Sequence, residues 1–250
     1  MPIKVMYVLG TGSKHDNQEL RWSLRSLEKF CQDDIEPVIV GSVPDWFTGE
    51  FVKCDDKTPR KNINILHKVC KGIESGIVKG EFLFSSDDHI LVNPYSFEKG
   101  PRWIKNPMLK ALPESGVPSG WNRLTDATLW TLLGCGYPAI DFEQHFNTYM
   151  NTEVVGDVLN IVEYAESHNL FKKGILVPSV FNNAAIANGD HRPMGFKKDY
   201  KLDNVSKEDL DGILAEEDCY GISISDKAFE SAAFMECMKE MFPKKSKWEK

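Results

Sequence analysis

Two apolar, β-rich runs frame the first stretch of the chain: "IKVMYVLGTG" at residues 3–12 and "EFLFSSDDHILV" at 81–92. Between them the apolar spacing changes from alternating to helical and back. "DNQELRWSLRSLEKF" (16–30) places Leu20, Leu24, Leu27 and Cys31 on one helical face. Asp16, with Glu19 three residues on, has the pattern of a capping box. "EPVIVGSVPDW" and "FVKCDD" read as two short strands, and "RKNINILHKVCKGIES" as a helix with Ile65, Leu66, Val69, Cys70 and Ile73 inward. A strand–helix–strand–strand–helix–strand rhythm predicts an α/β fold with a mostly parallel, Rossmann-like sheet and right-handed crossovers.

Such sheets bind ligands at the carboxyl ends of their strands. Gly10, Thr11, Gly12 and Ser13 end the first strand, and Ser85–His89 interrupt the last apolar run, so both are expected at one rim. The glycines expose backbone N–H groups, with hydroxyls beside them, and suit a phosphate or a nucleobase. The spacing is neither GxGxxG nor a P-loop. Asp87 and Asp88 are hard oxygen donors of the kind Mg²⁺ or Mn²⁺ takes, or else ordinary turn residues. On a regular strand adjacent side chains face opposite ways, so one acid is expected on metal and the other on a sugar hydroxyl or backbone amide.

Net charge is −7 over 250 residues, which opposes wholesale coating of nucleic acid. Basic clusters at 196–201 and 242–250 would be the only grooves for it. No apolar run is long enough to span a bilayer, and the six cysteines show neither a CxxC pair nor zinc spacing. The expectation is a cytoplasmic protein with reduced thiols and no transmembrane segment.

The second half is less regular. Residues 93–122 read as loops with a short helix; "RLTDATLWTLLGCG" is a helix ended by Gly134 or Gly136; "VVGDVLNIVEYAESHN" is another. "GILVPSVFNNAAIANG" reads as a strand-like piece and a turn, "CYGISISD" as a last strand, and "KAFESAAFMECMKEMFP" as a terminal helix. One domain with an elaborated C-terminal half is the simplest organisation.

The blocks "DNQELRWSLRSLEKF", "VIVGSVPDW" and "FLFSSDDHILV" resemble the N-terminal conserved blocks of stealth proteins, the capsular polysaccharide phosphotransferase family, and their GT-A-fold glycosyltransferase relatives in bacteria and bacteriophages. "DFEQHFNTYMN" around His145, "VPSVFNN" around Asn182 and Asn183, "GISISD" at Asp226 and "FPKKSKWE" look like later pieces of the same group. The resemblance implies a GT-A-like fold, with residues 1–95 as the nucleotide-sugar-binding half and 96–250 as the acceptor-side half. It implies a metal-dependent transferase using Mn²⁺ or Mg²⁺ and a nucleotide sugar, a UDP-sugar first among them. Asp88 matches the metal-binding acid of a D-x-D-type motif and Asp87 its middle residue, while Ser86 stands where the first acid would be.

Arg21 and Arg25 are then candidates for the diphosphate or for core carboxylates, and Lys61, Asn62 and Asn64 for nucleotide or sugar contacts at a helix N-terminus. His145 is a candidate to complete the metal shell or touch the diphosphate; Trp121 and Tyr137 are candidates for stacking. If the reaction inverts, Asp141, Asp190 and His191 are the available bases. The acceptor is expected to be a glycan. A hydroxymethylated DNA base, a sugar-1-phosphate transfer and a non-catalytic sugar-nucleotide binder remain alternatives.

Overall fold

The computed structural model describes residues 1–111, 119–172 and 174–250. Four parallel strands, β1 (Ile3–Leu9), β2 (Ile35–Gly41), β3 (Glu50–Lys53) and β4 (Glu81–Ser85), form the central sheet with β7 (Thr148–Asn151) antiparallel at one edge, in the order β3-β2-β1-β4-β7. The chain is thus α/β, with a mostly parallel, Rossmann-like sheet. Period-2 alternation divides β1 between two cores. Met6 faces Leu66 and Val69 of α2 (Lys61–Glu74), whereas Val5, Tyr7 and Leu9 face Leu20, Leu24 and Leu27 of α1 (Gln18–Phe30).

The helices of the second half, α3 (Gly120–Gly134), α4 (Val155–Ser167) and α5 (Val177–Ala187), pack on the α2 side. A small ribbon pairs β6 (Arg102–Ile104) with β8 (Met194–Phe196). A third core gathers β5 (His89–Leu91), β9 (Lys201–Leu202) and β10 (Gly221–Ile224) with α6 (Lys207–Leu214) and α7 (Ala232–Met241). Because β7 completes the first sheet and β10 pairs with β5, the two halves of the chain share one body.

Several expectations need correction. The 81–92 run is two strands in different sheets, with Ser86–Asp88 in the gap. Helix α1 begins at Gln18, and Asp16 does not cap it: Asp16 and Asn17 both adopt left-handed backbone (φ 52° and 53°), and the Ser13 hydroxyl accepts the Asn17 N–H at 2.9 Å. The strand-like reading of "GILVPSVFNNAAIANG" fails because α5 is buried nearly all round and so lacks an amphipathic stripe. Pro178 sits in its first turn, where no N–H is needed. The buried Asn183 amide bonds the Ile140 backbone on both sides, at 2.9 and 2.8 Å. The turn ending α3 is made by Gly136 (φ 79°), not Gly134. The loops and short helix expected over 93–122 fall partly on 112–118, outside the described residues; β6 lies in the part that is described.

Helix α1 joins the layers. Its Ser23 hydroxyl donates to the His89 carbonyl (2.5 Å), and its Ser26 hydroxyl accepts the Leu91 N–H (2.9 Å), which ties β5 to the helix. Arg25 forks onto Glu249 through Nε and Nη2, both at 2.7 Å, and Arg21 reaches the same carboxylate at 3.3 Å while stacking on Trp46. The Glu249 side chain is fully buried, and its Oε1 also accepts the Ser246 N–H at 2.9 Å. The C-terminal residues are therefore a strap across α1. Glu249→Ala strands two guanidinium groups and should cost about 3–5 kcal/mol. That lowers the melting temperature by on the order of 10 °C. Lys247→Ala, at the surface of the same strap, should leave it within a degree or two; equal effects in thermal unfolding would contradict this account.

Candidate active site

The order of parallel strands reverses between β1 and β4, and in open α/β sheets the ligand crevice lies at this switch point, beyond the carboxyl ends. A cleft of about 550 Å³ opens there. One wall is Gly10–Ser13; a second is Asp56, Thr58 and Pro59 after β3, with Lys61, Asn64 and Lys68 of α2; the floor is Ser86–Asp88; the far side carries Lys201, Ser225, Asp226 and Phe229. A larger hollow of about 820 Å³ lies at the amino ends of the strands, but its Lys4 is already paired with Glu36 (2.8 Å) and Glu50 (2.6 Å).

Local sequence explains each wall. A side chain at Gly10 would bring a Cβ to 3.3 Å from the Asp56 carboxylate, and Gly12 has open space where a side chain would begin, so the β1–α1 loop presents bare backbone to the cleft. Gly41 ends β2 with φ 129°, and a Cβ there would fall 2.0 Å from the Leu9 carbonyl. That close approach leaves the Leu9 oxygen for the Ser42 N–H (3.1 Å) and for the buried Lys68 ammonium (2.7 Å). Lys68 also holds Asp56 at 2.5 Å. The Asn64 amide fastens the 57–58 backbone at both ends (3.1 Å to Lys57 N and Thr58 N, 2.7 Å to Thr58 O). Across the mouth, Lys14 pairs with Asp226 at 2.7 Å, and His15 stacks on Phe229 with centroids 3.8 Å apart.

The floor is electrostatically loaded. Burial, then the neighbouring Asp88 and Glu19 carboxylates, push the Asp87 carboxyl up to about 7 against the pull of Lys61. Glu19 Oε2 is buried without a hydrogen-bond partner. Asp88 is held at both ends: its carbonyl accepts the Ile224 N–H (3.1 Å), and its Oδ2 accepts the Ser223 hydroxyl (2.8 Å). His89 is buried, which lowers its imidazole to about 4, against the pull of Asp88. It is thus neutral, with Nε2 3.9 Å from Asp88 Oδ1.

Among the described residues no group of three or more His, Cys, Asp or Glu side chains is arranged to hold a metal ion. Mg²⁺, however, commonly takes only one or two protein carboxylates and fills its shell with water and substrate phosphate oxygens. Asp87 and Asp88 provide that donor set, and the crowding of Asp87, Asp88 and Glu19 is the condition a cation relieves. The residues fit a hard divalent ion.

Of the sequence candidates, Gly10, Thr11, Gly12, Lys61, Asn64, Asp87 and Asp88 come together in the cleft. Arg21 and Arg25 do not; Glu249 takes them both. Asn62 packs toward Gly174. His145 does not line the cleft; its Nδ1 lies 2.7 Å from Asp199 Oδ2, and its backbone N–H donates to Asp199 Oδ1 at 3.1 Å. Burial raises Asp199, but the hydrogen bond and charge of His145, with Lys105, more than offset this and hold it at about 2.

Two of the three candidate bases are already engaged in the fold. Asp141 accepts from Asn106 (2.9 Å) and the Glu143 N–H (3.0 Å). Asp190 accepts from Arg102 (2.6 Å) and the Arg192 N–H (2.9 Å). His191 is exposed on the turn beside Asp190, and none of the three lines the cleft. Trp121 is half-exposed on α3 and Tyr137 bonds Asp157, both outside the cleft. Sequence reasoning missed Asp56, although it follows the carboxyl end of a strand. It also missed Glu19, Lys68, Lys201, Phe229 and Asp199, for which only the fold supplies the neighbour.

No protein-family model matches the chain, and no curated protein matches it significantly. The raised Asp87 carboxyl makes a signed forecast. The native state holds a proton that the unfolded chain releases between roughly pH 4 and 7, so stability falls as pH rises through that window. Asp87→Asn removes the penalty. Discounted for the solvent that reaches this side chain, the variant should gain about 1–2 kcal/mol over wild type at pH 8 and nothing at pH 4. Denaturant titrations at the two pH values check this, and a variant less stable at pH 8 contradicts it.

Proposed function

We propose that the chain is a metal-dependent glycosyltransferase that binds a nucleotide-diphosphate sugar, a UDP-sugar first among them, and transfers the sugar to a hydroxyl of a glycan. The observation that carries this reading is the turn at Ser86–Asp88. It sets two consecutive carboxylates on the floor of a cleft walled by bare glycine backbone, hydroxyls and lysines at the switch point of a parallel sheet.

Each residue then has a physical task. Gly10–Ser13 offer backbone N–H groups and hydroxyls to an anionic donor. Lys61 and Lys201, which make no ion pair among the described residues, supply positive charge at the cleft wall. Asp88, with Asp87 beside it, would hold the divalent cation, which when bound neutralises charge developing on the leaving diphosphate.

Ser223 links the floor to the segment carrying Asp199: its hydroxyl donates to Asp88, and its N–H donates to the Tyr200 carbonyl at 2.8 Å. The ionised Asp199 accepts the proton on His145 Nδ1, fixing the tautomer and leaving Nε2 to take a proton from an acceptor hydroxyl. His145 does not line the cleft either, but its Nδ1 is engaged by Asp199 and its other ring nitrogen is not, and on that ground we assign it, rather than Asp141, Asp190 or His191, as the acceptor-side base.

A glycan acceptor is favoured over DNA because much of the two basic clusters is already engaged, and Lys201, which makes no ion pair among the described residues, lines the donor cleft. Lys198 is paired with Glu216 (2.8 Å), the Lys197 ammonium lies over the Phe146 and Tyr200 rings, and 242–250 is the strap on α1. Among the described residues no helix is long and apolar enough to cross a membrane.

A thermal-shift screen of nucleotide sugars with and without Mn²⁺ tests the donor site, since a ligand of the native state raises the melting temperature by mass action. A UDP-sugar should stabilise the protein only with metal, and Asp88→Ala should abolish the shift; an unchanged shift in that variant overturns the assignment. For the base, Asp199→Asn and His145→Ala should lower turnover by about 10²–10⁴ while donor binding survives. Release of UDP supports glycosyl transfer, whereas UMP means transfer of a phosphosugar.

A further inference from the structure

The carboxyl end of β3 brings a thiol against an imidazole. Cys54 follows Lys53, the last residue of β3, and its N–H reaches the Gly41 carbonyl at 3.4 Å. Its Sγ lies 3.4 Å from Nδ1 of His67 on α2, with the Asp55 carbonyl at 3.9 Å. Both residues are partly exposed. We propose that Cys54 and His67 form a reactive-thiol site at the root of the cleft-wall loop, where the sulfur is oxidised by small peroxides.

A nucleophile within hydrogen-bond reach of a base is the arrangement that activates thiols. Burial first, then Lys57, Lys71 and Lys68, hold the His67 imidazole below its ordinary value, against the opposing pull of Glu74. It is therefore neutral near pH 7 and free to take the thiol proton. The other cysteines lack this setting. Burial pushes Cys31, Cys70 and Cys219 up to about 11 and raises Cys135 and Cys237 as well, and among the described residues none of the five has an imidazole partner.

The reaction balances on these two side chains and the oxidant. The thiol proton moves to His67, and the sulfur attacks one oxygen of hydrogen peroxide. The S–O bond forms as the O–O bond breaks, and the second oxygen leaves as water with the proton from His67. Sulfur loses two electrons to the peroxide and becomes a sulfenic acid. The next residues, Asp55–Arg60, are the loop that supplies Asp56, Thr58 and Pro59 to the cleft, so the modified sulfur lies where that loop leaves the sheet. The chemistry does not depend on the transferase reading.

The experiment measures alkylation of each cysteine by iodoacetamide at pH 7, resolved by peptide mass spectrometry, with a parallel arm of hydrogen peroxide followed by dimedone to trap sulfenic acid. Cys54 should react at least about ten-fold faster than Cys135 and Cys237, and should carry the dimedone adduct. In His67→Gln the Cys54 rate should fall several-fold, while those of Cys135 and Cys237 stay within about two-fold of wild type, which also reports an intact fold. Should the variant open and expose every thiol, the wild-type ranking decides alone. Cys54 no faster than Cys135 and Cys237, or a Cys54 rate unmoved in a folded His67→Gln protein, overturns the proposal.

Discussion

The candidate site follows from a three-residue gap between two pinned strands. β4 is fixed by its parallel pairing with β1, which ends at Tyr7 and Ser85. β5 is fixed by β10, with Ser223 opposite His89, and by the Ser23 and Ser26 hydroxyls of α1. Ser86–Asp88 must cross from one sheet to the other, and three residues span at most about 10 Å. They have no slack to withdraw into the core or turn outward. Two acids lie in that gap beside Glu19, and burial first, then the Asp88 and Glu19 carboxylates, raise the Asp87 carboxyl. A fold that held these groups together for no purpose would be less stable than one that replaced them.

Helix α1 makes the gap rigid. Its leucines pack on β1, its serines hold β5, and its arginines clamp Glu249. One short block, "ELRWSLRSLEKF", therefore does three jobs on three faces of one helix. The arginines looked equally suited to a diphosphate or to a carboxylate, and a buried carboxylate from 224 residues away decided between them. The β1–α1 loop shows the opposite economy. Two consecutive non-glycine residues in left-handed backbone, Asp16 and Asn17, each cost about 1 kcal/mol or more. They turn the chain so that Gly10–Ser13 and Lys14 line and bridge the cleft.

What could be read beforehand divides along the same physical lines. The central sheet, α1, α2 and the rim containing Gly10, Thr11, Gly12, Asp87 and Asp88 were legible because periods of 2 and 3.6 are local and because a parallel sheet has one ligand-binding edge. The second half was not. β6, β8 and β9 are two or three residues long, too short to show alternation, and α5 is buried on nearly every side, its serine and asparagines included. The capping box at Asp16 misled because Asp16 and Asn17 adopt left-handed backbone and no side chain among the described residues caps the helix. Nothing local to His145 showed its neighbour Asp199, which is 54 residues further on. Asp141, Asp190 and His191 had the right chemistry for a base, yet no local pattern shows that Asn106 and Arg102 already occupy the two acids and that the histidine lies outside the cleft.

In the proposed function Asp88 would hold a divalent cation beside the donor diphosphate. Diffraction from crystals grown with a UDP-sugar and Mn²⁺, collected with anomalous signal from manganese, tests it most directly. The account requires one manganese peak within coordination distance of the Asp88 carboxylate, about 2.0–2.6 Å, and of donor phosphate oxygens, inside the cleft between Gly10–Ser13 and Phe229. A bound nucleotide sugar with manganese elsewhere, or with the Asp88 carboxylate still tied only to Ser223, would contradict it.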